Sequence, residues 1–398
     1  MTVSTDLIAI ILSVFIVAGI LLYNSSKNLG IPSFIIFMGI GLFLGDGTWG
    51  EPVYDNPELT EFLSSMALNI IIFVGGYNTS YPSIKCAYKE GLLLSTVGVL
   101  ITALSLGYFT YWVTDLPLIT AILFGSIVSS TDAAAVFGIL ETKRINLKHN
   151  TGTILEFESA TNDPMALILV TIFTASALNG ASDGAMGEYA FTFSKLLLIG
   201  AASGLLFGLL TQWVLTKIEF HELGLVPIFM LAMFFIATYS SNLMGGNLLV
   251  ASYIFGVIAG NTEHAAKLNS TYFNHSLSWL AQALMFLFLG LQIFTDQLGP
   301  VFVTTILPAL FLILAARPLA VMVCYLPFRS APWSKRLFVS TIGLKGATPI
   351  VFAFVPLLQG VPRANELFNM VFFVVLFSIA IQGTLLGPAA KWLQLQEK

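Results

Sequence analysis

The chain has 398 residues, of which 57% are hydrophobic and only 10% are charged, and its formal net charge is −4 at pH 7. Soluble domains carry about 25% charged residues, so this composition excludes an ordinary soluble protein. The small net charge gives no reason to expect nucleic acid as a partner. The two cysteines, Cys86 and Cys324, are too few for a disulfide framework or a cysteine metal site.

Apolar runs long enough to cross a membrane recur along the chain, which predicts an all-α polytopic membrane protein with about thirteen transmembrane helices. We expect the first span to be retained, because residues 1–6 lack the basic n-region of a signal peptide. The predicted spans lie near 7–24, 31–45, 58–76, 88–113, 116–140, 151–178, 191–217, 224–242, 247–260, 273–294, 300–327, 334–358 and 366–390.

The charged loop residues predict the orientation of these spans. With the N-terminus outside, most lysines and arginines, such as Lys85, Arg144 and Arg336, fall on the cytoplasmic side, as the positive-inside rule requires. The outer loops carry acids instead, among them Asp46 and Asp183. We therefore expect a plasma membrane protein, in a bacterium an inner membrane protein, with a cytoplasmic C-terminus.

This span count allows two inverted six-helix repeats joined by a linker span. The fifth span carries the polar run 129–132 and the twelfth carries the Gly- and Pro-containing run 343–349, at matching places in the two repeats. In transporters built from inverted repeats, broken helices cross near the membrane midplane and form the substrate site. Helices with Gly and Pro can also be kinked and packed without such a role.

Ionisable groups inside the spans cost about 2.5–3.5 kcal/mol each on insertion scales, so each requires a partner or a function. Arg317 lies in the eleventh span and stays charged, so we expect it to pair with Glu158 in the sixth. Asp132 and Lys345 are expected to compensate the positive and negative ends of the half-helices. Glu156 lies nearer the cytoplasmic end and is a candidate for a cytoplasmic funnel.

The sixth span also carries Asp163, about 12 residues from its start, or roughly 18 Å along a helix. Helical spacing puts Ser159 on the same face as Asp163, and Glu158 with Asn162 on another. The pattern leaves Asp163 without a fixed counter-charge, so it has to hold either a proton or a cation, which is an exchange mechanism in itself. Asp163, Ser159, Thr131 and backbone carbonyls offer oxygen ligands for a hard ion such as Na⁺ or K⁺.

These residues resemble the cation/proton antiporter superfamily, in particular its NhaP-like, electroneutral branch. The matching motifs are Thr131-Asp132, Glu158-Ser159-x-x-Asn162-Asp163-Pro164, Arg317-Pro318 and Gly343-Leu344-Lys345-Gly346-Ala347. The resemblance implies an NhaA-like antiporter fold and an ion or proton at Asp163. It implies coordination helped by Ser159 and Thr131, with Asp132 nearby, and a structural Glu158–Arg317 pair supported by Asn162.

The resemblance also implies a homodimer in which a core moves against a dimerisation scaffold. The expected units are 1–87 and 218–298 as scaffold helices of the two repeats, 88–178 and 299–390 as core helices, 179–217 as linker helix and 391–398 as cytoplasmic end. The chain departs from the family at Val74, where an acid is common, and at Lys345, where Arg is common. It resembles the bacterial potassium/proton subgroup, whose members usually carry a cytosolic regulatory tail that we expect to be missing here.

Three other functions remain open on the residues alone. A sodium-coupled organic solute symporter of related fold could use Arg317 as an anion anchor. A channel would require a continuous pore, and no filter-like sequence is present. An intramembrane protease would require a Gly-x-Gly-Asp or Gly-x-Ser-Gly motif inside a span, and the chain has neither. We expect a transporter of K⁺ or Na⁺ and H⁺ that is not an enzyme and needs no cofactor.

Overall fold

The structure, a computed structural model, describes residues 34–45, 56–132, 145, 147–180, 185–293 and 298–396, and single residues among 13–21 and at 136 and 140. These residues are helical except for loops and one isolated β-bridge between Leu147 and Gln396. The predicted span 7–24 and the end of the fifth span fall largely outside the described residues.

The helices are labelled in chain order, and the two parts of a broken span carry separate labels. They are α1 Phe34–Gly45, α2 Pro57–Asn78, α3 Tyr81–Val113, α4 Leu118–Ile127, α5 Thr151–Asn179, α6 Ala185–Lys217, α7 Leu225–Leu243, α8 Leu248–Gly260, α9 Lys267–Leu291, α10 (Leu298–Phe311, the π-helical turn Leu312–Ala316 and Arg317–Cys324), α11 Trp333–Thr341, α12 Thr348–Leu358 and α13 Ala364–Trp392.

Within the described part of the chain, seven helices are long and apolar enough to cross a membrane. Three shorter apolar helices, α4, α8 and α12, have 10–17 residues. The chain is therefore an integral membrane protein of multiple helices, as predicted. The total of thirteen spans, their division into domains and the inverted repeat stay predictions.

Several helices begin a turn or two before the predicted span, and α3 shows why. It begins at Tyr81, where the hydroxyl of Ser80 accepts a hydrogen bond from the backbone N–H of Ser83 and Pro82 occupies the first turn. Its first turns carry Lys85 and other polar residues, so hydropathy alone cannot recognise them as helix.

The first interruption follows α4 directly. Val128 to Asp132 are not helical, and Val136 and Leu140 beyond them are. The second lies between α11 and α12, where 342–347 are not helical. The backbone N–H of Asp132 donates to the carbonyl of Leu344 at 2.8 Å, so the two interruptions are in direct contact. Both predicted helix breaks are thus present, and they meet beside α5.

Helices α2 and α8 pack closely against each other through glycines. A Cβ on Gly76 would overlap the carbonyl of Tyr253, and one on Gly256 would overlap the carbonyl of Phe73. Small residues at such positions let two membrane helices approach backbone to backbone. Val74, which replaces the acid common in the resembled family, is a buried residue of α2.

Candidate functional site at the crossing of the broken helices

Asp163 lies near the middle of α5 and is 5% exposed. Its carboxylate contacts one hydroxyl from the first interruption and one from the residue that directly follows the second. The hydroxyl of Ser130, in the break after α4, donates to Oδ1. The hydroxyl of Thr348, the first residue of α12, lies 3.5 Å from Oδ2. No salt bridge of the described residues involves Asp163.

A second polar group lies beside this carboxylate. The hydroxyls of Thr131 and Ser159 are 3.0 Å apart. The side-chain amide of Asn162 donates to the Thr131 hydroxyl at 2.5 Å. The sequence assigns Asn162 to the support of the Glu158–Arg317 pair, which stays a prediction, and its side-chain amide reaches Thr131 because Thr131 lies in the break after α4.

Lys345, for which the sequence predicts compensation of a negative half-helix end, lies beside the end of α4. Its ammonium group donates to the carbonyls of Ser129 at 3.1 Å and Ser130 at 2.7 Å, which have no helical partners beyond the break. The side chain is almost fully buried. Its positive charge faces the negative end of a helix dipole, which is a favourable arrangement.

Asp132 lies against the second interruption. A Cβ on Gly346 would overlap its carboxylate, so the carboxylate occupies the space that a side chain at position 346 would need. Gly346 precedes the first turn of α12, whose N-terminal N–H groups favour a negative charge. Asp132 on the first broken span thus faces the second interruption, and Lys345 on the second broken span faces the first interruption.

Glu158 and Arg317 form a buried ion pair, with Oε1 and Nη1 at 2.6 Å and both side chains at most 4% exposed. Arg317 follows the π-helical turn of α10, and Gly343 leaves room for its side chain, since a Cβ there would lie 3.0 Å from Nε. The pair therefore links α5 and α10 at the level of the second interruption. Glu156 is half-buried about two turns before Asp163 on α5, and no described contact joins the two residues.

The structure thus brings Asp163, Ser130, Thr131, Ser159 and Asn162 together and places the charges of Asp132 and Lys345 around them. The sequence analysis missed Ser130 and Thr348 as neighbours of the carboxylate. Both lie inside the interruptions it recognised, in 129–132 and 343–349. Which residue of a break faces the site depends on backbone angles that neither pattern nor periodicity specifies.

Comparisons with known proteins show the family and the fold of this chain. A family model described as sodium/hydrogen exchanger, transmembrane, matches residues 11–392. The K(+)/H(+) antiporter NhaP2 of Shewanella oneidensis is 35% identical over 372 residues, which cover 94% of this chain and 64% of that protein. The Na(+)/H(+) antiporter NhaH of Halobacillus aidingensis is 29% identical over 313 residues, or 77% of each chain.

A solved structure gives the same fold. The sodium proton antiporter MjNhaP1 of Methanocaldococcus jannaschii superposes with a TM-score of 0.84, at 23% identity, over 96% of this chain and 97% of that one. The chain spans somewhat less than two thirds of the length of its NhaP2 relatives, 64%.

Proposed function

Because this chain belongs to the sodium/hydrogen exchanger family, we propose that it is an antiporter that exchanges one monovalent cation for one proton at Asp163. The proposal rests above all on one observation. A carboxylate near the middle of a membrane-spanning helix is buried, contacts neutral hydroxyls and forms no salt bridge among the described residues.

A buried carboxylate of this kind is stable only when it is neutralised by a proton or a cation. The two exclude each other at one carboxylate. Each cycle then carries one cation one way and one proton the other, with no net charge moved. Glu158, Arg317 and Lys345 do not take part, since Glu158 pairs with Arg317 and Lys345 binds backbone carbonyls.

The oxygen ligands suit a hard alkali cation. K⁺ is the favoured substrate, because relatives at 33% to 35% identity are named K(+)/H(+) antiporters. Na⁺ is the second candidate, because NhaH is named an Na(+)/H(+) antiporter. The protein acts by alternating access and not as an enzyme, and it needs no cofactor beyond the transported ions.

The wider arrangement is proposed on the same basis. The N-terminus faces outwards and the C-terminus the cytoplasm, because this orientation puts most basic residues on the cytoplasmic side. The core, 88–178 and 299–390, moves against the scaffold of a homodimer surrounded by lipid. Glu156 lies on the cytoplasmic approach to Asp163.

Transport in proteoliposomes tests the proposal. The full chain is reconstituted with a pH-sensitive dye and a pH difference, and K⁺, Na⁺ or Li⁺ is added with and without an imposed voltage. We expect K⁺ to collapse the pH difference most effectively, at a rate that does not depend on voltage. Proton movement that no alkali cation drives, or a rate that follows the voltage, would contradict electroneutral exchange.

A further inference from the structure

We propose that Ser130 and Thr348 are cation-binding residues, one supplied by each broken helix, and that the cation enters between their hydroxyls and the Asp163 carboxylate. This inference rests on the proposed exchange at Asp163 and names the side chains that complete its site. They differ from the side chains Ser159 and Thr131 that the sequence pattern indicated.

Contacts with the carboxylate are the first argument. The Ser130 hydroxyl donates to Oδ1 and the Thr348 hydroxyl lies 3.5 Å from Oδ2, so each carboxylate oxygen has a different hydroxyl beside it. Ser130 is fully buried and Thr348 is 5% exposed. The hydroxyls of Ser159 and Thr131 are 3.0 Å apart and bond each other, and no described hydrogen bond joins either to Asp163.

The chemistry of a hydroxyl group also favours Ser130 and Thr348 as ligands. A hydroxyl donates one hydrogen bond and has two lone pairs, and its hydrogen can rotate. When Asp163 holds a proton, the hydroxyl donates to the carbonyl oxygen of the carboxyl group or accepts from its O–H. When a cation arrives, the same oxygen turns a lone pair to the ion. Such a group serves both occupants of the site without moving the backbone, whereas a fixed N–H donor would repel the cation.

The anchoring of Ser130 is the third argument. Its carbonyl accepts a hydrogen bond from the Lys345 ammonium group at 2.7 Å. The backbone N–H of Lys345 donates in turn to the hydroxyl of Ser378 on α13 at 2.8 Å. Ser130 is therefore held in place through its main chain while its hydroxyl stays available to the ion. Thr348 is fixed in a different way, as the first residue of α12.

The experiment compares Ser130→Ala and Thr348→Ala with the parent chain in proteoliposomes, varying K⁺ and Na⁺. We expect each variant to raise the cation concentration for half-maximal exchange about tenfold, the effect of losing about 1.4 kcal/mol of binding. The maximal rate at saturating cation should stay within about twofold, and Thr348→Ser should recover most of the affinity because it keeps the hydroxyl.

Two matched controls lie on the same broken spans. The hydroxyl of Ser126 donates to the carbonyl of Ile122 at 2.9 Å, and that of Thr341 to the carbonyl of Leu337 at 2.8 Å, so each is bonded within its own helix. Ser126→Ala and Thr341→Ala should leave the half-saturating concentration unchanged. If they raise it as much as the site variants do, the loss is a general effect of removing hydroxyls and the inference fails.

A second measurement separates this inference from the proposed function. Cation binding stabilises the folded protein, so K⁺ or Na⁺ should raise the melting temperature of the purified parent chain. Ser130→Ala and Thr348→Ala should shift that response to higher cation concentration. Variants that fold and respond as the parent does would overturn the assignment while leaving exchange at Asp163 intact. A parent that neither responds to a cation nor transports one would overturn the proposed function itself.

Discussion

At the scale of single residues, the Glu158–Arg317 pair shows how charge is tolerated inside the membrane. The two side chains are 2.6 Å apart and nearly inaccessible to water, so each neutralises the charge of the other. Desolvation offsets much of the attraction in such a pair. Its main effect is therefore that the loss of either partner alone leaves a buried charge unpaired.

Removing one partner should accordingly lower the free energy of unfolding more than removing both. We expect Glu158→Ala or Arg317→Ala to lower the free energy of unfolding by about 3–5 kcal/mol, since each leaves a buried charge unpaired. Thermal melting of the purified protein in detergent measures the loss. The double replacement by Met should be less destabilising than either single change. Single variants as stable as the parent would show that the pair contributes nothing to folding.

His264, in the loop between α8 and α9, is a residue for which pH dependence can be predicted. Both ring nitrogens are buried and have no hydrogen-bond partner among the described residues. Burial, followed by the charge of Lys267, lowers the pKa of His264 below its ordinary value of 6.5, while Glu263 acts in the opposite direction. The unfolded chain therefore takes up a proton at higher pH than the folded one.

The consequence is a loss of stability on the acid side. The contribution of His264 is complete above the unfolded pKa and declines as pH falls towards the lower folded pKa. Between about pH 7 and about pH 5, the melting temperature of His264→Gln should therefore fall less than that of the parent. The neighbouring groups Glu263, Lys267 and Tyr77 are unchanged in this variant. Equal slopes for the two proteins would contradict the prediction.

At the scale of elements, the two interruptions depend on close approach as much as on charge. The Asp132 carboxylate fills the space that a Cβ at position 346 would need, so glycine is required there. Gly346→Ala should destabilise the protein by at least about 1–3 kcal/mol, the usual cost of overpacking, since the added Cβ would overlap the Cβ of Asp132 as well as its carboxylate. Melting of the variant in detergent measures this loss.

Gly75 provides the control for that prediction. It lies within α2 and a Cβ there would meet nothing within 4 Å. Gly75→Ala should be neutral or slightly stabilising, because alanine has the better helix propensity. If Gly346→Ala were equally harmless, the contact between Asp132 and the second break would not be as close as the structure shows.

The sequence could predict these elements to different degrees. Polar residues at 129–132 and glycines with proline at 343–349 indicated where helices break, because both features are rare in the middle of an apolar span. Helix dipoles predicted Lys345 near a negative half-helix end, and that role stays a prediction. The contacts of Ser130 and Thr348 with Asp163 could not be predicted, since they depend on how the two breaks cross.

At the scale of the whole molecule, Asn247 connects the helices predicted as scaffold with the helix of the site. Its side-chain oxygen accepts from the N–H of Val250 and caps α8, and its amide donates to the carbonyl of Pro164 on α5 at 3.3 Å. Pro164 follows Asp163 directly. In the proposed movement of the core against the scaffold, this bond lies between the two units.

Replacing Asn247 separates its two contacts. Asn247→Ala should lower the free energy of unfolding by about 1–2 kcal/mol, because a helix cap and a buried hydrogen bond are both lost. Asn247→Ser keeps a capping hydroxyl but is too short to reach Pro164, so its loss should be smaller. Melting in detergent measures both, and equal losses would mean that the cap contributes nothing.

The multi-helix membrane character followed from the sequence, because hydropathy depends directly on the membrane, whereas the orientation that the basic loop residues indicate stays a prediction. The early start of α3 was not predicted from the sequence. The Ser80 cap and Pro82 begin the helix with a polar turn, which a hydropathy pattern does not recognise as part of a span. Close helix packing at Gly76 and Gly256 was not predicted either, because it pairs residues far apart in the chain.

The most direct test of the account is the exchange activity of Asp163→Asn in proteoliposomes. Asparagine is similar in size but cannot alternate between a proton and a cation, so cation-driven proton movement should be abolished while the protein still folds. Asp115→Asn, in the predicted outer loop, is the matched control and should keep the parent rate. Measurable K⁺- or Na⁺-driven proton movement by a folded Asp163→Asn protein would contradict the central claim.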